Sequence, residues 1–200
     1  MPVDHDSALK ISTLGGLSIQ LAGRRIEFAT RKAEALLVYL ASLRRDHPRE
    51  ILATMLWAEQ SQTQALTSLR TALANLRKHL RPYIHATRST IGLQETNIWF
   101  DIAALEQHLK NAEIEAAMAL YQGEFLEGFY VRSAATFENW QVAERERIHQ
   151  LVRQGLHDHI SRSISTAQFA AGLASARQLL DLDPLDELAQ QQMKIGRAHV

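Results

Sequence analysis

One stretch constrains this chain more than any other: SQTQALTSLRTALANLRKHL, from Ser61 to Leu80. Ser61 followed three residues later by Gln64 predicts a helix start, a capping box in which each side chain serves the other's free backbone N–H. Leu69, Leu73, Leu76 and Leu80 recur at spacings of four, three and four, which places them on one helical face. The other face carries Thr67, Arg70, Thr71, Ala74, Arg77 and Lys78, all polar, basic or short. No Asp or Glu occurs between Gln60 and Gln94, whereas Arg70, Arg77, Lys78, Arg81 and Arg88 do. A solvated helix ordinarily mixes both signs, because opposite charges four apart support it. A face with cations alone suits a polyanion, since each Lys or Arg set on a phosphate releases counterions.

The segments on either side sharpen that expectation. Leu9–Phe28 alternates apolar and polar residues, with Gly15-Gly16 and Ala22-Gly23-Arg24 as turns, and predicts short strands. The glycines lack the further Gly and the Lys-Ser/Thr of a phosphate-cradling loop. Thr30 then caps a helix, RKAEALLVYLASL, with Ala33, Leu36, Leu37, Leu40 and Ala41 inward. Arg31 and Lys32 stand at its N-terminus, where the helix dipole disfavours cations, and a nearby phosphate would offset the cost. Arg44–Pro48 reads as a loop, with Pro48 just inside a short helix whose apolar positions are Ile51, Leu52, Met55, Leu56 and Trp57. Pro82 ends the long helix, and YIHATRSTIGLQ folds as a hairpin around Arg88-Ser89-Thr90. Strands, helix, short helix, long basic helix and hairpin make a winged helix-turn-helix, in which the third helix enters the major groove.

Charge divides the chain. Residues 1–95 hold 13 lysines and arginines against 8 acids, and residues 96–200 hold 9 against 14. A basic half joined to an acidic half implies two domains with different partners. From Ile98 the pattern predicts helices only: WFDIAALEQHL, IEAAMALYQGEFLEGF, a long segment from Ser133, and QFAAGLASARQLLDLDPLDELAQQQM. Leu182-Asp183-Pro184 reads as punctuation between tetratricopeptide-type helices.

Several motifs together resemble a known family. Leu14-Gly15-Gly16, Arg31-Lys32-Ala33, Ala35-Leu36-Leu37, Tyr39-Leu40-Ala41, Arg49-Glu50, Leu56-Trp57, Leu69-Arg70, Ala72-Leu73 and Leu76-Arg77 are similar to the N-terminal half of the SARP-type bacterial regulators. Asp101, Tyr121, Gly123, Phe125-Leu126, Gly128, Phe137, Trp140, Glu144-Arg145-Glu146-Arg147 and Leu182–Glu187 resemble the bacterial transcriptional activation domain (BTAD) that follows it. The family's hairpin commonly ends in a Gly-Tyr-Arg-like run; here Ile91-Gly92-Leu93-Gln94 stands there, leaving Arg88 as the charged residue of the wing.

The resemblance implies a mainly α protein with a small β part. A winged helix-turn-helix over residues 1–96 would be followed by an all-α, tetratricopeptide-like domain over 97–194, truncated there. Residues 195–200 are expected to be a non-native tail, because Gly196 is a poor helix residue one turn into a new helix. The implied activity is that of a DNA-binding transcriptional activator, not an enzyme. Duplex DNA would be met by Thr67, Arg70, Thr71, Ala74, Arg77, Lys78, Arg88, Arg31 and Lys32, with Asn75 as a further base-edge candidate. The helical domain would contact a protein: RNA polymerase, another protomer or a downstream domain of the intact chain. The alternative is an interaction adaptor whose basic helix docks an acidic protein surface.

Other chemistry finds little support in the sequence. There are no cysteines, which fits a cytoplasmic protein, and no run long and apolar enough for a membrane. His157 and His159, two apart on a helix, point away from each other, so no metal or cofactor is expected. Glu144-Arg145-Glu146-Arg147 reads as a solvated or interface face, and Trp57, Trp99 and Trp140 as core.

Overall fold

The computed structural model describes residues 9–94 and 97–198, with side chains described as far as Met193 except that of Gln192. Two compact units emerge, one from Met1–Ala103 with Gly123–Arg145 and the other from Ala104–Gln122 with Glu146–Val200. The boundary expected at residue 96 falls at Glu95 and Thr96, outside the described residues.

In the first unit, β1 (Leu9–Ser12), β2 (Ser18–Leu21) and β3 (Arg24–Arg25) form an antiparallel meander. The β2–β3 turn puts both Ala22 and Gly23 at positive φ, 49° and 72°, the two-residue geometry that suits the twist of a hairpin. A fourth strand, β7 (Ile98–Phe100), lies parallel to β1, with Leu9 opposite Ile98 and Ile11 opposite Phe100. This corrects the expectation of helix from Trp99: the helix α4 begins only at Asp101.

Three helices follow the meander: α1 (Arg31–Leu43), α2 (Arg49–Trp57) and α3 (Gln62–Leu80). The Thr30 side chain accepts the Ala33 N–H, and the Ser61–Gln64 capping box closes as the sequence requires. Leu69, Leu73, Leu76 and Leu80 are buried, together with Ala65 and Ala72. Ile51 is a correction, since it is 53% exposed and not part of the α2 core face.

A second, three-stranded sheet holds β4 (His47–Pro48), β6 (Thr90–Leu93) and β5 (Ile84–Ala86), in that order. β5 and β6 are the expected hairpin. β4 replaces part of the expected loop, and its Pro48 precedes α2 instead of lying inside it. Proline is admissible here because β4 is an edge strand.

The segment Gly123–Arg145 completes this unit. Leu14 bridges Phe125, the Leu126 N–H donates to the Thr13 carbonyl at 2.7 Å, and the Gly15 N–H to that of Glu124 at 3.0 Å. The backbones approach closely: a Cβ on Gly123 would lie 2.9 Å from the Gly15 Cα. Asp101 secures the same loop, accepting the Thr13 N–H, the Leu14 N–H at 2.7 Å and the Thr13 hydroxyl at 2.9 Å. Residues 121–134, expected to be largely helical, are thus mostly turn and loop. Trp140 meets Tyr39, Phe125 and Phe137, with ring centroids 4.9, 5.7 and 5.3 Å away.

The second unit is helical among its described residues: most of α4 (Asp101–Lys110), α5 (Ile114–Leu120), α6 (Ala135–Ser165) from Glu146 on, α7 (Phe169–Leu182) and α8 (Glu187–Ala198). α7 packs on α8. The backbone of α8 passes through Gly196, so of the expected tail at 195–200 only Arg197's neighbour Ala198 and what precedes it are described; the last two residues lie outside the described residues. No helix among the described residues is long and apolar enough to cross a membrane.

Candidate nucleic-acid interface

The leucine face of α3 is packed inward, and geometry alone then turns the opposite side to solvent. Thr67, Arg70, Thr71, Ala74, Arg77 and Lys78 are all exposed. Beside them lies a groove lined by Arg49, Arg70, Leu73, Ala74, Arg77, Lys78, Arg81 and Ile84. Five of these eight are cationic and none is acidic, so the groove concentrates positive charge between α3 and the wing.

The wing tip has a built conformation. Thr87 Oγ1 accepts the N–H groups of Ser89 at 3.2 Å and Thr90 at 2.9 Å, a threonine-capped turn. The Arg49 guanidinium donates to the Thr87 carbonyl from Nε at 3.1 Å and Nη2 at 2.9 Å. Its backbone N–H donates to the Ser89 carbonyl at 2.9 Å. Arg88, between these anchor points, remains exposed.

The cations of α1 separate into two kinds. Arg31 is exposed, its guanidinium 5.1 Å from the Phe129 ring centroid. Lys32 differs from expectation: its Nζ donates to the carbonyls of Leu56 at 2.6 Å and Ser133 at 3.0 Å, and lies 5.3 Å from the Trp57 ring. Burial lowers its pKa below the ordinary lysine value, against an opposing pull from Glu59. These partners give Lys32 a task inside the unit, tying the end of α2 to the loop before α6. Asn75 is likewise engaged, since its Oδ1 accepts the Ala29 N–H at 3.2 Å.

Arg49 and Arg81 line the groove without being among the candidate contact residues that the sequence offers. Arg81 was visible among the cations of the acid-free run; nothing in the order of residues shows that Arg49 faces the wing turn. Elsewhere, Arg145 does not belong to a simple solvated face: it donates to the carbonyls of Phe125 at 2.7 Å and Leu126 at 2.9 Å. His157 and His159 take separate partners, Asp186 and Ser175, each at 2.9 Å. Among the described residues no three His, Asp or Glu side chains gather as metal ligands.

No family model matches this chain, and no curated protein matches it. A solved structure does: Mycobacterium tuberculosis EmbR in complex with a low-affinity phosphopeptide, with a TM-score of 0.68 at 21% identity. The match covers 96% of this chain. The chain has an EmbR-like fold. That likeness supports a SARP-like architecture, a winged helix with a helical region, and at this identity it speaks for the fold alone. The chain spans 55% of the length of the EmbR chain.

Proposed function

We propose that this chain is a DNA-binding transcription regulator of the SARP type, an activator, with α3 in the major groove. Arg70, Arg77, Lys78, Arg81 and Arg49 would line the phosphate path, Arg88 would reach the backbone from the wing, and Arg31 would approach from α1. Thr67, Thr71 and Ala74 would face base edges. The helical unit, read as a tetratricopeptide-like repeat and the counterpart of a bacterial transcriptional activation domain, would present an acidic surface to a protein. That protein would be RNA polymerase, a second protomer or a further part of a longer chain.

The observation that carries this reading is the acid-free groove between α3 and the wing. Five cations there line one space beside the exposed face of α3, and the third helix of a helix-turn-helix fold is the one that enters the major groove. The test is retardation of duplex DNA across a salt series. About five phosphate contacts should give a slope of log K against log salt near −4 to −5. A slope near zero, or no retardation at low salt, overturns the reading. Capture by an acidic protein surface in place of duplex would transfer the groove to the adaptor alternative.

A further inference from the structure

Thr67 and Thr71 stand one helical turn apart on the exposed face of α3, Thr67 in its second turn and Thr71 at its midpoint. Both hydroxyls are turned back onto their own helix. Thr67 Oγ1 donates to the Thr63 carbonyl at 2.9 Å, and Thr71 Oγ1 donates to the Thr67 carbonyl at 3.2 Å. A threonine held in this way has spent its one hydrogen-bond donor. The hydroxyl keeps acceptor capacity alone, and the other Cβ substituent, the methyl group, projects from the helix beside it. Asn75, the residue type that pairs bidentately with adenine, cannot do so while its Oδ1 holds the Ala29 N–H. Arg70 and Arg77, two turns apart, line the groove together with Arg49 and Arg81, on the flank towards the wing.

We infer that Thr67 and Thr71 are specificity-determining residues that read thymine through its C5-methyl group, by apolar contact and not by hydrogen bonding. The inference rests on the proposed DNA-binding function and deepens it by naming the chemistry of base readout. The major groove offers one apolar feature, the thymine methyl, and a threonine methyl is a fitting partner for it. The N-terminal residues of a recognition helix are those that approach base edges; Thr67 lies in that part of α3, and Thr71 follows one turn further along the same exposed face.

The test begins with the whole 200-residue chain and a random duplex library, from which the protein enriches its own sites. An enriched duplex is then rebuilt with dU in place of dT, one position at a time. This substitution leaves base pairing intact and removes only the methyl group. At one or two positions affinity should fall on the order of fourfold, the value of about 0.8 kcal/mol per buried CH2 expressed as a ratio. Thr71→Val, which keeps a methyl and loses the hydroxyl, should preserve the preference for dT over dU. Thr71→Ser, which keeps the hydroxyl and loses the methyl, should bring that ratio to one at a single position. Equal affinity for dT and dU at every position overturns the inference while DNA binding stands. Failure to enrich any duplex overturns the DNA-binding function itself, so the two failures are distinct.

Discussion

Arg49, the first residue of α2, holds the wing turn by donating twice to the Thr87 carbonyl, at 2.9 and 3.1 Å. Through this one guanidinium the helix that precedes α3 sets the position of Arg88, the next residue along the wing. Arg49 therefore acts in two ways, as a cation lining the groove and as the clamp on the wing turn. Arg49→Ala and Arg88→Ala should each weaken duplex binding, and the double variant should lose less than the two losses added. The coupling in a double-mutant cycle of affinities should exceed about 0.5 kcal/mol, the range found for residues sharing a network. Strict additivity would detach the wing tip from Arg49.

Arg70 and Leu73 are three apart on α3 yet should behave as opposites. Leu73 is 4% exposed, so Leu73→Ala leaves a cavity and should cost roughly 2–5 kcal/mol of stability. Arg70→Ala removes an exposed side chain and should stay within about 0.5 kcal/mol of the parent. Its effect should appear in DNA affinity, as a loss of about 1–3 kcal/mol if the guanidinium meets a guanine edge. If it meets phosphate, the loss should be equal on all sequences and the salt slope should shrink by about one. Thermal unfolding and DNA affinity measured on both variants decide the matter. An unfolded Arg70→Ala protein beside a stable Leu73→Ala protein would invert the assignment of faces.

The aromatic contacts of Trp140 bear on where the first unit ends. Its ring lies against Tyr39 of α1 as well as Phe125 and Phe137, and Leu14 is bridged to Phe125. A fragment of residues 1–96 would lack β7, Asp101 and this aromatic cover. It should therefore melt below the full chain, and Trp140→Ala in the full chain should cost about 3 kcal/mol, as large aromatic truncations do. A fragment 1–96 that melts at the temperature of the intact protein would show these contacts to be dispensable.

What was legible in the sequence follows the length of each signal. α3 could be read because four leucines, a capping box and an acid-free face all point the same way over twenty residues. The hairpin Ile84–Leu93 was legible for a similar reason, a turn set between two apolar runs. β4 and β7 were not, because two or three residues make no period, and each is immediately followed by a helix start. Residues 121–134 carry large apolar side chains that suggest a helix, but their backbone is spent on the Thr13–Gly15 loop. Such pairing depends on a partner more than a hundred residues away. The candidate interface was legible as a helix face and not as a groove. Arg49 joins it and Lys32 turns to the Leu56 and Ser133 carbonyls, and both facts depend on tertiary approach that local spacing cannot encode.

The remaining prediction concerns the helical unit, where Asp186 lies at the junction of α7 and α8. It is 7% exposed, receives the Ala189 N–H at 2.9 Å and faces His157 Nε2 at 2.9 Å and Arg153 Nε at 3.6 Å. Burial by itself would raise its pKa; the Ala189 N–H, His157 and Arg153 outweigh that and hold it below the ordinary value of 3.8. A carboxylate whose folded-state pKa is depressed stabilises the fold above its unfolded value and loses that contribution as pH falls through the folded one. The contribution should thus be complete at neutral pH, begin to decline near pH 3.8 and be gone below the folded-state value. Asp186→Asn keeps an oxygen to accept the Ala189 N–H and removes only the charge. At pH 7 it should lower stability by about 1.5–3 kcal/mol, the scale of hydrogen bonds to charged groups. The gap between variant and parent should narrow as pH falls from about 3.8 through the folded-state value and close below it, measured by denaturant unfolding at a series of pH values. A gap that is constant from neutral to acid pH would show that the charge on Asp186 does not hold this junction.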